Sequence, residues 1–229
     1  MTGEHTIRAD LHNHTHFSPD SILSPEQLVE RCLARGINCI AVTDHNTVRG
    51  GLEVSRIVAE REILDLRVIV GEEVRSADGE ILGLFLTSDV PRGLSGNETI
   101  ERIKLQGGIV GVPHPFDHLR SALNYQRMVA LVDQIDFIET LNARVVFKSH
   151  NRKAQGFAID HGLAGSAASD AHSPWEIGRA YVDMQGFDGP GDFVDKLREG
   201  KAGGGVSTPL IHMVSRFAAL RRRLGWRPE

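Results

Sequence analysis

Apolar runs of strand length alternate with stretches of helical spacing along most of this chain. Segments 7–12, 37–43, 67–70, 81–86, 108–112, 135–139, 163–168, 179–184 and 203–207 read as strands. Helices are predicted near 25–35, 48–63, 98–106, 125–132, 145–161 and 193–198. The best-marked helix start is Ser24-Pro25-Glu26-Gln27: an N-cap serine, proline at the first helical position and a capping-box glutamine. Gly36 stops that helix. Ala77-Asp78-Gly79 reads as the turn of a hairpin joining the strands on either side. Elsewhere the regular alternation and mostly short connections imply parallel strands in βαβ units. There is no internal repeat and no low-complexity linker.

Histidine and acid pairs recur where these apolar runs end: Asp10-Leu11-His12-Asn13-His14, Thr43-Asp44-His45, Gly71-Glu72-Glu73, Pro113-His114-Pro115 and Ser169-Asp170-Ala171-His172. Residues i and i+2 of a strand share a face, so His12/His14 and Asp170/His172 are natural chelating pairs. Any one pair is weak evidence, since a lone His-x-His is equally at home on a surface strand. Five in succession point to one metal centre at the C-terminal ends of the strands, where α/β folds build their sites. Imidazole mixed with carboxylate suits zinc, manganese or iron. Donors spread over nearly all strand ends favour a barrel over an open sheet, which would gather them at one switch point.

Composition narrows the class. With 229 residues, 41% hydrophobic and 24% charged, the chain is expected to form a single domain over 1–229 with a full core. A net charge of −4 counts against a dedicated nucleic-acid binder but leaves nucleotides open. Cys32 and Cys39 are too few for a cysteine zinc site and read as reduced structural thiols. No apolar run approaches ~20 residues and Met1–His5 does not resemble a signal peptide, so the expectation is a cytoplasmic enzyme with no membrane association. Nothing in the sequence sets an oligomeric state.

At these residues the chain resembles the PHP family, named for its occurrence in polymerases and histidinol phosphatases. The matching pieces are 10–15, 41–47, 71–74, 113–115 and 165–172, in the family's order. The stretch 169–180 looks like stand-alone phosphoesterases of the family rather than polymerase subunits. The resemblance implies an α/β fold, a distorted (β/α)7 TIM-like barrel. It also implies two or three divalent metal ions (zinc, manganese or iron) and hydrolysis of phosphate esters. Its ligand pattern carries over to His12, His14, Asp20, His45, Glu73, His114, Asp170 and His172, with Glu73 bridging two metals and Glu139 a further ligand. Many small phosphoesterases of the family have a histidine where this chain has Glu80, a carboxylate still able to ligate.

Phosphate-ester hydrolysis needs an activated water and neutralisation of charge on the leaving oxygen. Two metals ~3.5–4 Å apart supply both. With no serine or cysteine nucleophile motif, a metal-bound hydroxide is the expected nucleophile. Asp170 and His172 are expected to be essential to turnover, and His16, which continues the alternation of His12 and His14, to protonate the leaving group. Arg144 is expected to clamp phosphate, its segment resembling the family's Glu-x-x-Asn-x-Arg, with Arg179 as a second candidate. Asp44 is expected to orient a ligand from behind. His5, His150, His161 and His212 read as surface residues. The tail, where Arg216 and Arg221–Arg223 interleave with Phe217, Leu220 and Leu224, predicts a helix at about 209–224 docked on the barrel with a basic outer face.

The leading function is hydrolysis of a phosphate ester of a small metabolite or nucleotide. The alternatives are a nuclease, a metal-stabilised interaction module and an amidohydrolase-like deaminase. Low positive charge and the lack of an aromatic platform count against the nuclease. A structural module normally closes its metal with about four ligands, and the order of the motifs fits the deaminase less well.

Overall fold

The structure, a computed structural model, describes residues 6–208 and 210–225. Its first half comprises β1 (Thr6–Asp10), α1 (Pro25–Arg35), β2 (Cys39–Val42), α2 (Arg49–Glu60), β3 (Arg67–Arg75), β4 (Glu80–Leu84), α3 (Gly96–Lys104) and β5 (Ile109–Val112). Then come α4 (Tyr125–Leu131), β6 (Phe137–Asn142), α5 (Lys148–His161), β7 (Ala164–Ala168), β8 (Ala180–Gln185), α6 (Pro190–Glu199), β9 (Lys201–Gly204) and α7 (Ile211–Arg223). His5 and residue 209 lie outside the described residues. The predicted start of α1 is present in full: Ser24 accepts from the Gln27 N–H, Gln27 reaches back to the cap, and Gly36 closes the helix at φ 66°, where a side chain would be strained.

The strands form one sheet in the order β7-β6-β5-β4-β3-β2-β1-β8-β9. β1, β2 and β3 run parallel, as do β5, β6 and β7. β4 is antiparallel to both its neighbours, as the hairpin turn requires. β8 and β9 are antiparallel as well, against the parallel arrangement that alternation implied. The difference arises at β1. All of it but Asp10, Thr6–Ala9, is taken by β8. Its continuation past Asp10 instead meets the end of β7: the Asp170 N–H donates to the His12 carbonyl at 2.8 Å and the His14 N–H to the Ala171 carbonyl at 2.9 Å. The ring of β1–β7 is therefore closed only at its upper rim, giving a distorted barrel.

One buried apolar cluster draws Ala9, Cys39, Ile69, Leu82, Ile109, Phe137 and Ala164 from all seven of those strands and fills the space they enclose. The Phe137 ring lies so close over Gly111 that any side chain there would collide with it. Two further clusters pack the helices against the outer face of the sheet. Cys32 and Cys39 are free and buried. Among the described residues, no helix is long and apolar enough to cross a membrane.

Candidate metal centre

The strands deliver acid and histidine side chains to one rim. His12 and His14 follow β1, His45 follows β2, His114 follows β5, and Asp170 and His172 follow β7, while Glu73 lies inside β3 and Glu139 inside β6. Glu80 opens β4, and because β4 runs against its neighbours its first residue sits where theirs have their last. Asp20 comes from the loop after β1. His114 and Asp170 have left-handed backbones, at φ 28° and 53°, a conformation non-glycine residues adopt only when their surroundings impose it.

Glu73 is central. Its Oε2 lies 3.0 Å from His45 Nδ1 and 3.4 Å from Nε2 of both His12 and His14. Its Oε1 lies 2.9 Å from His114 Nε2, which is 3.8 Å from Glu80 Oε2. Asp170 Oδ1 lies 3.5 Å from His14 Nε2, and Asp20 reaches His172 Nε2 at 3.2 Å and His45 Nε2 at 3.6 Å. Three sets of donor atoms each fall within 4.8 Å of one another: His12/His14/Asp170, His14/His45/His172 and His45/Glu73/Glu80. This donor set fits divalent cations. It mixes imidazole with carboxylate, the Nε2 atoms of His12 and His14 converge to 3.0 Å, and Asp170 Oδ1 is buried without a hydrogen-bond partner among the described residues.

Electrostatics point the same way. Burial, reinforced by His172 and His45, holds His14 well below the ordinary imidazole value, so it is neutral. Burial opposes charge on Asp170 and Glu73 too, but Arg120 and His12 outweigh it at Asp170, and His12 and His45 at Glu73. Both carboxyls stay well below their usual range. His12 and His45 are correspondingly pushed well above theirs, burial notwithstanding, by Asp170 and Glu139 in the first case and Glu73 in the second. Cations bound here would displace those protons.

A second layer fixes the rings. The Ser18 hydroxyl donates to Asp44 Oδ1 at 2.5 Å, so its oxygen accepts from His14 Nδ1 at 3.1 Å and the His14 lone pair lies on Nε2, aimed into the site. Asp44 also accepts from the Thr15 N–H and hydroxyl and from the Ser18 N–H, which partly offset the burial that raises its carboxyl to about 6. Glu139 departs from the expected ligand geometry. Its Oε1 faces His12 Nδ1 at 2.8 Å, and its Oε2 accepts from the His114 N–H at 2.5 Å and Asn142 Nδ2 at 2.9 Å. It grips the far side of the His12 ring.

The donors open into a cavity of about 570 Å³ lined also by Arg120, Arg144, His212, Ser215 and Arg216. Arg144 is buried, 3.3 Å from Glu176 and 2.7 Å from Ser215, and its Nε–H has no acceptor among the described residues. Arg179 is exposed and His16 packs edge-on against Phe17; neither lines this cavity. The sequence reading missed Arg120, which pairs with Asp170 and carries no motif, and misplaced two histidines. His150 is buried beside Asp117, and His212 lines the cavity, its ring meeting the Arg144 carbonyl at 3.1 Å. His161 is exposed as expected.

The sequence profile of the PHP domain family covers residues 10–159, and that of a PHP-associated family residues 148–202. Two uncharacterized proteins of Methanocaldococcus jannaschii are similar. One is 40% identical over 147 residues, covering 60% of this chain and 82% of that protein. The other is 33% identical over 187 residues, covering 77% of this chain and 70% of that protein. The backbone resembles, at TM-score 0.74 and 20% identity, a two-domain protein of Bacteroides vulgatus containing a predicted PHP-like metal-dependent phosphoesterase; the match covers 90% of this chain and 66% of that one. On profile, relatives and fold together, the chain belongs to the PHP domain family.

Proposed function

We propose that this chain is a metal-dependent phosphoesterase acting on a phosphate ester of a small metabolite or nucleotide. The observation that carries the reading is the buried, unpartnered Asp170 Oδ1 among converging imidazoles, with Glu73 spanning two sides of the cluster. His12, His14, Asp20, His45, Glu73, Glu80, His114, Asp170 and His172 would hold two or three divalent ions, zinc, manganese or iron. Such ions, when bound, activate water and neutralise charge developing on phosphate.

The remaining roles fall to the chain itself. Glu139 and Ser18 hold His12 and His14 with Nε2 inward. Arg144 contributes the phosphate clamp, being on the cavity wall with an unused N–H, and takes precedence over the exposed Arg179. Arg120 holds Asp170 ionised and adds a second cation to the same wall. His16 is not among the residues that line the cavity, so its position lends no support to the expected role in protonating the leaving group.

The test is a phosphate-release screen over sugar phosphates, histidinol phosphate, nucleotides and a short oligonucleotide, with manganese, zinc and iron supplied separately. Release from at least one small ester, lost in Asp170→Asn, is the expected result. Protein that binds metal yet releases phosphate from none of them overturns the proposal, and cleavage of the oligonucleotide alone replaces it with the nuclease reading.

A further inference from the structure

Helix α7 is amphipathic in the opposite sense to the expected one. The side that meets the barrel makes polar contacts beside the half-buried Ile211 and Val214: His212 meets the Arg144 carbonyl, Ser215 accepts from Arg144, and Arg222 donates to the His16 carbonyl. Ala218 is the helix's one buried residue. The apolar side faces outward. Leu210, Met213, Phe217, Leu220 and Leu224 are 70%, 65%, 57%, 54% and 78% exposed. Their spacing of three and four residues places them in one stripe, which at 1.5 Å per residue is ~21 Å long.

The charges bordering the stripe select what covers it. At 100° per residue, Arg216 and Arg223 fall along one edge and Arg221, whose guanidinium stacks on the Phe217 ring, along the other. No Asp or Glu occurs between Ile211 and Arg223, in a chain whose net charge is −4. A second copy would bring arginine against arginine at both edges of the seam, a repulsive pairing. An anionic lipid surface satisfies both features: the stripe enters the headgroup boundary while the arginines extend to phosphates on either side. Met213 also belongs to the cavity wall, together with the exposed Leu119 and the half-exposed Val146, so the apolar border runs from the helix onto the mouth of the cavity.

We infer that α7 docks the protein on anionic lipid surfaces, through the stripe Leu210–Leu224 and its flanking arginines, with the cavity mouth turned toward the bilayer. This departs from the absence of membrane association expected from the sequence, which registered only spanning segments and leader peptides. It stands apart from the reaction and does not depend on it.

Sedimentation of the full chain with vesicles tests the inference. Binding is expected to vesicles of phosphatidylcholine with phosphatidylglycerol, to weaken as salt is raised, and to be much weaker with phosphatidylcholine alone. Phe217→Glu/Leu220→Glu, both solvent-facing and outside the cavity, is expected to lower partitioning at least about tenfold. Arg221→Gln/Arg223→Gln, which keeps the stripe, is expected to lower it about fivefold per arginine. Circular dichroism of both double variants checks the fold. Equal partitioning of the wild type onto neutral and anionic vesicles, or none onto either, overturns the inference. So does a wild-type dimer in sedimentation equilibrium that Phe217→Glu/Leu220→Glu converts to monomer, which would assign the stripe to a second copy.

Discussion

Glu139→Gln separates a ring-orienting carboxylate from a metal-ligating one. In the structure this side chain accepts from His12 Nδ1 at 2.8 Å, from the His114 N–H at 2.5 Å and from Asn142 Nδ2 at 2.9 Å. A glutamine keeps one acceptor oxygen, so it can serve His12 or the His114/Asn142 pair but not both, and its amide turns a donor against a donor. One hydrogen bond to a charged group, worth about 1.5–3 kcal/mol, is lost. At about 1.4 kcal/mol per decade that corresponds to ~10–140-fold in metal affinity, in line with the usual cost of losing an outer partner of a metal-bound histidine. The assay is competition for zinc or manganese against a chromophoric chelator at fixed pH, with stoichiometry from atomic emission. Weaker binding at unchanged stoichiometry is expected. Affinity within about twofold of wild type refutes the orienting role, since the partners of metal-bound histidines normally matter by ten-fold or more. Loss of one metal equivalent, with the others held as before, would make Glu139 a ligand.

Other substitutions test neighbouring parts of the argument. Asp170→Asn should abolish turnover and lower metal content while the far-ultraviolet dichroism stays that of wild type; full activity in metal-replete Asp170→Asn would refute the assignment. Arg144→Ala should raise KM for a phosphate ester about 10-fold with metal content unchanged, and should also cost about 3–5 kcal/mol of stability because the buried Glu176, 3.3 Å away, loses its cationic partner and keeps only the His172 N–H and Ser173 hydroxyl among the described residues. Arg144→Lys should recover only part of the affinity, since a point charge cannot reproduce the guanidinium fork. Glu72 is buried and accepts from the Val90 N–H; desolvation raises its carboxyl from 4.5 to about 8, with Asp89 adding to the effect. The native state therefore holds a proton that the unfolded chain releases between those values, and stability falls as pH rises across that window. Melting temperatures should show wild type falling behind Glu72→Gln from about pH 5 to about pH 8 and no further; parallel curves would show that Glu72 is ionised in the native state.

The sequence was most legible where the cause is local. The α1 cap and stop, the β3–β4 turn and the strand-end placement of His12, His14, His45, His114 and Asp170 all follow from nearest-neighbour patterns. Strand direction at β8 did not, because it is decided by which edge of β1 lies open, 175 residues away in the Arg8–Asp183 pair. Nor did the extent of β3, which continues to Arg75 only because Glu80 pairs with it across the hairpin. The spacing of α7 revealed a two-sided helix but not which side docks, since its polar contacts are with Arg144 and His16 from remote loops. Arg120 and the outward turn of Glu139 were hidden for the same reason: each is defined by a partner at Asp170 or His12.

The seam at the upper rim orders events during synthesis. The donors His45, Glu73 and Glu80 form one of the three sets from a single stretch within the first 80 residues, whereas each of the other two joins a residue before position 15 to Asp170 or His172. Emerging at about 5–20 residues per second, the chain needs roughly 5–20 s to pass from Glu80 to Asp170. A nascent protein can thus offer a cation only one partial nest at first. The other two donor sets are complete only when β7 arrives beside the extension of β1, so filling all three would require a chain translated through His172.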